Sequence, residues 1–261
     1  MSGIQMMAMN NVQAAVASGP TLVYDLDAAT YTGLSANFNG SSQYLDIAST
    51  TAFGFGTADF TIECWWRPTV NQRSDVLDFW STPSSNPTTR FDFGRITSTT
   101  LDLYTDSSPG GSGAKITGPS IASLLNAWHH IAITRQSGSI KMWVDGTQAG
   151  STYSANVLDM GTGGMALRIM GDHNASGNGS GNLSNVRVVR GVAVYTGTFT
   201  PPTAPLTDTQ SAGTNISAIT AGQTQLLLNT TSGANFLVDS STNAITATNN
   251  GGVVSSSLNP F

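Results

Sequence analysis

Short apolar segments separated by turn signals follow one another along most of the chain, and this pattern constrains the fold more than any other feature. Segments such as Tyr44–Ile47 and Ile140–Val144 alternate apolar and polar residues with the period of a β-strand that has one buried face. Asp145-Gly146, directly after the second segment, is a strong signal for a two-residue hairpin turn. Few stretches carry a helical period. The sequence therefore predicts an all-β fold of two antiparallel sheets, a sandwich or jelly roll.

The segment Phe60–Trp66 has apolar residues on both faces, which is typical of a strand in the middle of a sheet. It contains Cys64, the only cysteine, so no disulfide can form within the chain. We expect Cys64 to be a small core residue and the chain to be made in a reducing compartment.

The composition limits the classes of partner. Charged residues make up 10% of the 261 residues, the net charge is −5, and Lys115 and Lys141 are the only lysines. A nucleic-acid-binding face needs clustered cations, so we expect no nucleic-acid partner. No run of about 18 apolar residues is present, which argues against insertion into a membrane. Residues 1–20 contain no lysine or arginine, so we do not interpret them as a signal peptide.

Four pieces of the sequence, in their order and spacing, resemble the concanavalin A-like, laminin-G-like superfamily over roughly residues 21–206. They are Phe38–Leu45, Phe60–Pro68, Trp128–Gly146 and Gly181–Leu206. The third is the most specific, with a Trp-His-His strand followed by an aromatic strand that ends in Asp-Gly. The fourth, with its ending Tyr-Thr-Gly-Thr-Phe-Thr-Pro-Pro, resembles tailed-bacteriophage virion proteins in particular. The resemblance implies a concanavalin A-like jelly roll.

The two ends of the chain are expected to lie outside that jelly roll. Residues 1–20 carry a short apolar stripe at Ile4, Met7 and Met9, which leaves two interpretations open, a frayed terminus and an arm that docks on a partner. Residues 207–261 are predicted to form a C-terminal hairpin and a Gly/Ser-rich tail. The hairpin could return to the sheet of the jelly roll or add strands to a neighbouring subunit.

The sequence predicts that the protein is not an enzyme. Retaining glycan hydrolases need two carboxylates about 5 Å apart. This chain has a single glutamate, Glu63, and lacks the Glu-x-Asp-x-x-Glu strand motif usual in those enzymes of the superfamily. The aspartate pairs Asp25/Asp27 and Asp75/Asp78 lie near strand ends and turns, where aspartate is common for backbone reasons. We expect Glu63 to be a buried or half-buried acid paired with an arginine or a backbone donor, with a sugar-binding role as the alternative.

The sequence offers one weak candidate for a metal site and no nucleophile motif. Trp128, His129 and His130 are interpreted as structural, with the tryptophan in the core and the histidines in hydrogen bonds. The Gly/Asn-rich loop of residues 171–182 is the best candidate for binding calcium or a ligand, because carboxylate and amide oxygens are hard-cation ligands. A plain turn-rich loop is the alternative. The candidate ligand residues are Asp172, Asn174, Asn178 and Asn182.

Two functions remain open from the sequence. The first is a non-enzymatic virion structural protein of a tailed phage, a capsid decoration or a head or tail appendage, with other virion proteins as partners. Such a protein would be made in the host cytoplasm and would assemble as a homo-oligomer, for instance a trimer. The second is an adhesin that binds host surface glycans through the aromatic side chains Trp80, Tyr104 and Tyr153, for which core or loop packing is the alternative. A bacterial surface protein of the same fold is a third, weaker interpretation.

Overall fold

Two antiparallel β-sheets pack face to face in the computed structural model, which describes residues 35–81, 89–95, 99–105, 113–154, 163–174, 177–229 and 236–261. Short 3-10 turns at Thr51–Phe53, Ile121–Ser123 and Ala221–Gln223 are the only helical elements in these ranges. The predicted all-β sandwich of two antiparallel sheets is confirmed. The described strands, in chain order, are β1 (Ser35–Asn39), β2 (Tyr44–Thr50), β3 (Phe60–Pro68), β4 (Leu77–Trp80), β5 (Arg90–Arg95), β6 (Thr100–Thr105), β7 (Gly113–Ser120), β8 (His129–Gln136), β9 (Ser139–Val144), β10 (Thr147–Ser154), β11 (Met165–Ile169), β12 (Ser180–Arg190), β13 (Thr224–Leu228), β14 (Thr248–Asn250) and β15 (Val254–Ser256).

The strand order shows how distant parts of the chain meet. The first sheet has the order β10-β9-β8-β3-β12-β1-β15, and β13 pairs with the second half of β12. The second sheet has the order β14-β2-β11-β4-β5-β6-β7. Asp145 and Gly146 connect β9 to β10 with φ values of 49° and 78°, the two positive φ angles that a type I′ turn requires. The hairpin predicted there is confirmed.

The inner faces of the two sheets form one hydrophobic core. Strands of the second sheet alternate, so that Leu77 and Phe79 of β4 are buried in this core while Asp78 and Trp80 lie on the opposite face. Aromatic side chains fill its centre, and the rings of Phe53 and Phe79 meet edge to face with centroids 5.4 Å apart. Cys64 is fully buried in the same core, as predicted.

The segment that follows β12 covers the outer face of the first sheet. Tyr195 and Phe199 of this segment stack with ring centroids 3.7 Å apart and an angle of 8° between their planes. They pack with Trp143 of β9 and Val189 of β12 in a second, smaller hydrophobic cluster. The segment after β12 therefore forms a third layer over that sheet.

The C-terminal segment adds strands to the two sheets, and the hairpin predicted there from the sequence stays a prediction. β13 pairs with β12, β14 pairs with β2, and β15 pairs with β1, and none of these described strands pairs with another of the three. β14 thus forms an edge of the second sheet and β15 an edge of the first sheet, on the same side of the sandwich. Two buried apolar residues, Ala247 just before β14 and Val253 just before β15, join the main core.

Some sequence predictions fall outside the described residues. These are the docking arm of residues 1–20 with Ile4, Met7 and Met9, and the pair Asp25/Asp27. The domain boundaries at residues 21 and 206 stay predictions. Among the residues that the structure does describe, no helix has the length and apolar character needed to cross a membrane.

Candidate functional site

One row of polar side chains crosses the outer face of the second sheet. Cross-strand pairing places Arg168 of β11 between Asp46 of β2 and Asp78 of β4. The row continues from Asp78 to Asp92 of β5 and from there to Tyr104 of β6. Apart from Thr105, the chain neighbours of these residues are apolar and fill the core, and side chains alternate along a strand, so the row lies on the face away from the core.

Arg168 is the centre of the part of this row that solvent reaches. Its Nε and Nη2 donate to Oδ1 and Oδ2 of Asp46 at 2.6 and 2.9 Å, a bidentate pair. Its Cζ lies 4.1 Å from the ring centroid of Tyr44 and 5.7 Å from that of Trp80. The Asp46 side chain is 31% exposed and Tyr44 is half-buried. We call Tyr44, Asp46, Trp80 and Arg168 the Arg168 cluster.

A loop after β11 is fixed beside this cluster. Nη1 of Arg168 donates to the backbone carbonyl of Asp172 at 2.7 Å. The backbone N–H of His173 donates to Oδ2 of Asp78 at 2.7 Å, and the His173 ring lies 6.1 Å from the Trp80 ring. Asn174 is exposed next to them, with its Nδ2 3.0 Å from Nε2 of His173. The loop therefore presents amide and imidazole groups at the rim of the Arg168 cluster.

The residues predicted for calcium are engaged with the protein. The carboxylate of Asp172 accepts from Nη2 of Arg73 at 2.8 Å and from the backbone N–H of Asn174 at 3.0 Å. Nδ2 of Asn178 donates to the carbonyl of Ser41, while Asn182 lies in β12 and donates to Oγ of Ser35. An arginine thus supplies the positive charge that neutralises this loop. No cluster of three or more His, Cys, Asp or Glu side chains able to hold a metal occurs within the described ranges, and calcium binding stays a prediction from the sequence.

Behind the exposed cluster, the row continues as a buried charge network around Arg90. Nη2 of Arg90 lies 2.9 Å from Asp92, 3.2 Å from Asp78 and 3.8 Å from Asp75. Burial alone would raise the pKa of Asp78, but hydrogen bonds from Asp92 and His173 and the charge of Arg90 lower it. Burial and the charges of Asp78 and Asp75 raise the pKa of Asp92. The surroundings therefore favour the ionised form of Asp78 and the protonated form of Asp92.

The three aromatic residues predicted to stack on sugars are divided between the two sheets. Trp80 belongs to the Arg168 cluster but is only 7% exposed. Tyr104 is half-buried on the same face, two strands away. Tyr153 lies in β10 of the first sheet, with Nζ of Lys115 5.9 Å from its ring centroid. The structure thus brings Trp80 and Tyr104 to one face and separates Tyr153 from them.

Family models identify the fold. Residues 39–194 match the Laminin_G_3 family, described as the Concanavalin A-like lectin/glucanases superfamily. The match spans more than half of the chain. The chain belongs to this superfamily. The matched span of the concanavalin A-like domain contains the whole Arg168 cluster, and β13, β14 and β15 lie beyond it.

Solved structures share the fold at low sequence identity. A Bacteroides ovatus protein provisionally described as carbohydrate-binding is 17% identical with a TM-score of 0.56, covering 87% of this chain and 60% of its own. The heptameric SAP-like pentraxin of Limulus polyphemus is 17% identical with a TM-score of 0.45, covering 60% of this chain and 76% of its own. The enzymatically active domain of tailspike protein 2 of bacteriophage CBA120 is 17% identical with a TM-score of 0.40, covering 57% of this chain and 24% of its own. A search of the curated proteins finds no match.

The only glutamate of this concanavalin A-like domain is buried in a structural site. Oε1 of Glu63 accepts from Nε of Arg187 at 2.8 Å, and Oε2 accepts from the Tyr195 hydroxyl at 2.6 Å and lies 3.0 Å from Nε2 of His130. Burial alone would raise the pKa of Glu63, but Arg187, His130 and Tyr195 outweigh it and lower the pKa to about 2. The predicted pairing of Glu63 with an arginine is confirmed.

The structure agrees with the structural interpretation of Trp128, His129 and His130 for the two histidines but not for the tryptophan. His129 Nδ1 lies 2.6 Å from Oδ2 of Asp145, and His130 is bound to Glu63, so both histidines take part in hydrogen bonds. Trp128 differs from the prediction, since it is half-exposed just before β8 and outside both hydrophobic clusters. The reason is positional, because the strand ladder with β3 begins only at His129.

Sequence reasoning missed Tyr44, Asp46 and Arg168. Each one carried a usable signal, because a polar or aromatic residue alternates there with the core residues of its strand. Tyr44 and Asp46 flank Leu45, and Arg168 is the only charged residue of β11. What the sequence does not reveal is that β2 and β11 are neighbours, since 122 residues separate Asp46 from Arg168.

Proposed function

We propose that this chain is a non-catalytic glycan-binding domain and that the Arg168 cluster is its binding surface. The observation that carries the proposal is the bidentate Arg168–Asp46 pair stacked on the half-buried Tyr44 ring. A sugar ring offers hydroxyl groups at its edge and C–H groups on its faces. A carboxylate held in place by an arginine accepts hydroxyl hydrogen bonds, and an adjacent aromatic ring contacts the C–H face.

The surroundings of the cluster supply further polar groups at fixed positions. Asn174 is exposed on the loop after β11, and Nδ2 of Asn250 in β14 lies 3.4 Å from Oδ2 of Asp46. A small number of placed polar groups beside an aromatic ring is the usual composition of a small-molecule site. The carbohydrate-binding description of the Bacteroides ovatus protein of the same fold supports the class of ligand.

Binding without catalysis is supported by the positions of the carboxylates. A retaining glycosidase needs two carboxyl groups about 5 Å apart that both reach the substrate. Glu63, Asp75 and Asp78 have no exposed surface, and Arg187 or Arg90 neutralises them. Asp46, the exposed carboxylate of the cluster, is occupied by Arg168 on both oxygens.

The test is a glycan array with the full-length protein, followed by calorimetric titration of the best ligand. Tyr44→Ala and Asp46→Asn should each weaken binding by at least about tenfold, which corresponds to about 1.4 kcal/mol. Tyr153→Ala is the matched control, since it is also a half-buried tyrosine under a cation, on the other sheet. A protein that binds no glycan would overturn the proposal, and loss of binding in the control alone would move the site to Tyr153.

We propose a second role, attachment of this domain to the particle of a tailed phage as a homo-oligomer. It rests on the resemblance of Gly181–Leu206 to virion proteins and on the apolar stripe in residues 1–20. Deleting residues 1–20 should abolish decoration of particles while leaving the melting temperature of the domain unchanged. Full decoration by the truncated protein, or no density for the domain in a reconstruction of the intact particle, would refute this role.

A further inference from the structure

We infer that the Arg168 cluster selects uncharged glycans and rejects glycans that carry carboxylate or sulfate groups. This inference rests on the proposed function and concerns the class of ligand. It follows from the charges that surround the cluster. They include three guanidinium groups, Arg73, Arg90 and Arg168, each within 3 Å of at least one carboxylate oxygen.

The positive charges are already matched by side chains of the protein. Arg168 is bound to Asp46, Arg73 to Asp172, and Arg90 to Asp78 and Asp92. Asp75 lies within 4 Å of both Arg73 and Arg90. When the Asp78–Asp92 pair holds one proton, the remaining carboxylates still outnumber the guanidinium groups by one. An anionic sugar would therefore meet a net negative charge at short range.

Neither lysine can compensate. Nζ of Lys115 lies over the Tyr153 ring and Nζ of Lys141 over the Trp143 ring, so both contact residues of the first sheet. An anionic ligand would have to compete with Asp46 for Arg168, or with Asp172 and Asp75 for Arg73, whose side chain is 41% exposed, and the carboxylate it displaces would remain beside it. The cost of an unpaired charge at a partly buried site opposes that exchange.

Uncharged hydroxyl groups meet no such obstacle. Each carboxylate oxygen of Asp46 can accept more than one hydrogen bond, and the side chain is 31% exposed. Asn174 and Asn250 add amide groups that both donate and accept. The Arg168 guanidinium stacks on Tyr44 and orients Asp46, and in this role it needs no charge on the ligand.

The test uses glycan pairs that differ only in charge, such as a neutral oligosaccharide and its sialylated or sulfated counterpart, with the full-length protein. The neutral member should bind at least about tenfold more tightly. Its affinity should change less than about twofold between 50 and 500 mM NaCl, because binding forms no new ion pair. Tighter binding of the anionic member would overturn the inference and leave the proposed function standing, whereas no binding of either member would refute the proposed function itself.

A variant locates the selectivity. Asp46→Asn leaves the Arg168 guanidinium without its counter-charge, so the ratio of neutral to anionic affinity should fall by at least about fivefold. Asp208→Asn is the matched control, because it removes one half-buried aspartate from the cover of the first sheet and leaves the cluster intact. An unchanged ratio in Asp46→Asn, or an equal fall in Asp208→Asn, would show that the Arg168 cluster does not set the selectivity.

Discussion

The Tyr195 hydroxyl donates a 2.6 Å hydrogen bond to Oε2 of Glu63, and this bond joins the segment after β12 to the centre of the first sheet. Both side chains are buried, and Arg187 on β12 completes the site from the neighbouring strand. The Arg187 guanidinium extends the contact by donating to the carbonyl of Thr207 and to Oε1 of Gln210. This buried carboxylate thus adds a polar anchor to the hydrophobic cluster that holds the third layer on the sandwich.

Glu63 should make the stability of the protein depend on pH, with a loss of stability in acid. Its pKa is lowered from about 4.5 to about 2 in the folded protein. The contribution of ionised Glu63 to the free energy of unfolding is therefore complete above about pH 4.5 and is lost as the pH falls toward 2. The size of this contribution is about 3 kcal/mol. Urea unfolding of the wild type and of Glu63→Gln at pH 7, 4 and 2.5 measures it.

The expected result is a difference between the two proteins that shrinks with acid. At pH 7 Glu63→Gln should be less stable by about 3 to 5 kcal/mol, because Arg187 is left buried without its counter-charge. At pH 2.5 the gap should be markedly smaller. A gap that stays constant over this range would contradict the assignment of an ionised Glu63.

The Asp78–Asp92 pair predicts unequal effects of two similar substitutions. Because burial and neighbouring carboxylates raise the pKa of Asp92, its protonated form is favoured, and an asparagine resembles that form. At pH 5 we expect Asp92→Asn to change the free energy of unfolding by less than about 1 kcal/mol, and Asp78→Asn to cost about 3 kcal/mol by removing the ionised partner of Arg90.

The pH dependence of these variants has a definite sign. A raised folded pKa means that the stability due to Asp92 is complete below its ordinary pKa and is lost as the pH rises through the folded value. Asp92→Asn should therefore gain stability relative to the wild type as the pH is raised above 5. Equal losses for the two variants in urea unfolding would show that the proton does not favour Asp92.

Much of the fold could be predicted from local pattern, and the exceptions are long-range pairings. Alternation predicted strands such as β2 and β9, and Asp145-Gly146 predicted the hairpin that joins β9 to β10, because both signals lie within a few residues. The C-terminal strands gave no such signal, since β14 and β15 pair with β2 and β1 some 200 residues earlier. Their partners depend on which sheet edges remain open, which a local pattern does not contain.

The site was predictable only in part for the same reason. Trp80 and Tyr104 share a face because their strands flank β5, and the sequence predicted both as aromatic candidates. Tyr44 and Arg168 were not predicted, since they come together through the pairing of β2 with β11. Likewise, the sequence indicated that Glu63 needs an arginine or a backbone donor as its partner, but Arg187 lies 124 residues away and only the fold identifies it.

Gly146 should be among the least replaceable residues of the β9–β10 hairpin. It has a φ of 78°, and an added Cβ would overlap the backbone carbonyl oxygen of Phe199. Gly146→Ala should therefore lower the free energy of unfolding by about 2 kcal/mol or more, through backbone strain and displacement of the covering segment. Gly222→Ala is the matched control, since no atom lies within 4 Å of its added Cβ and its φ is ordinary. Equal melting temperatures for the two variants would contradict the close approach of Phe199.

The turn between β14 and β15 should stabilise the sandwich through Val253. The N–H of Val253 donates to Oδ1 of Asn249, and its carbonyl accepts from Nδ2 of the same side chain, at 2.8 and 2.9 Å. Val253 is 5% exposed and packs in the main core, whereas its neighbour Val254 is 55% exposed. Val253→Asp should cost about 3 kcal/mol or more, because it places a charge in an apolar site, and Val254→Asp should change stability by less than about 0.5 kcal/mol. Urea unfolding of both variants at pH 7 is the measurement. If neither substitution lowers the free energy of unfolding, Val253 does not pack in the core as described, and residues 248–261 would then be dispensable for the stability of the domain.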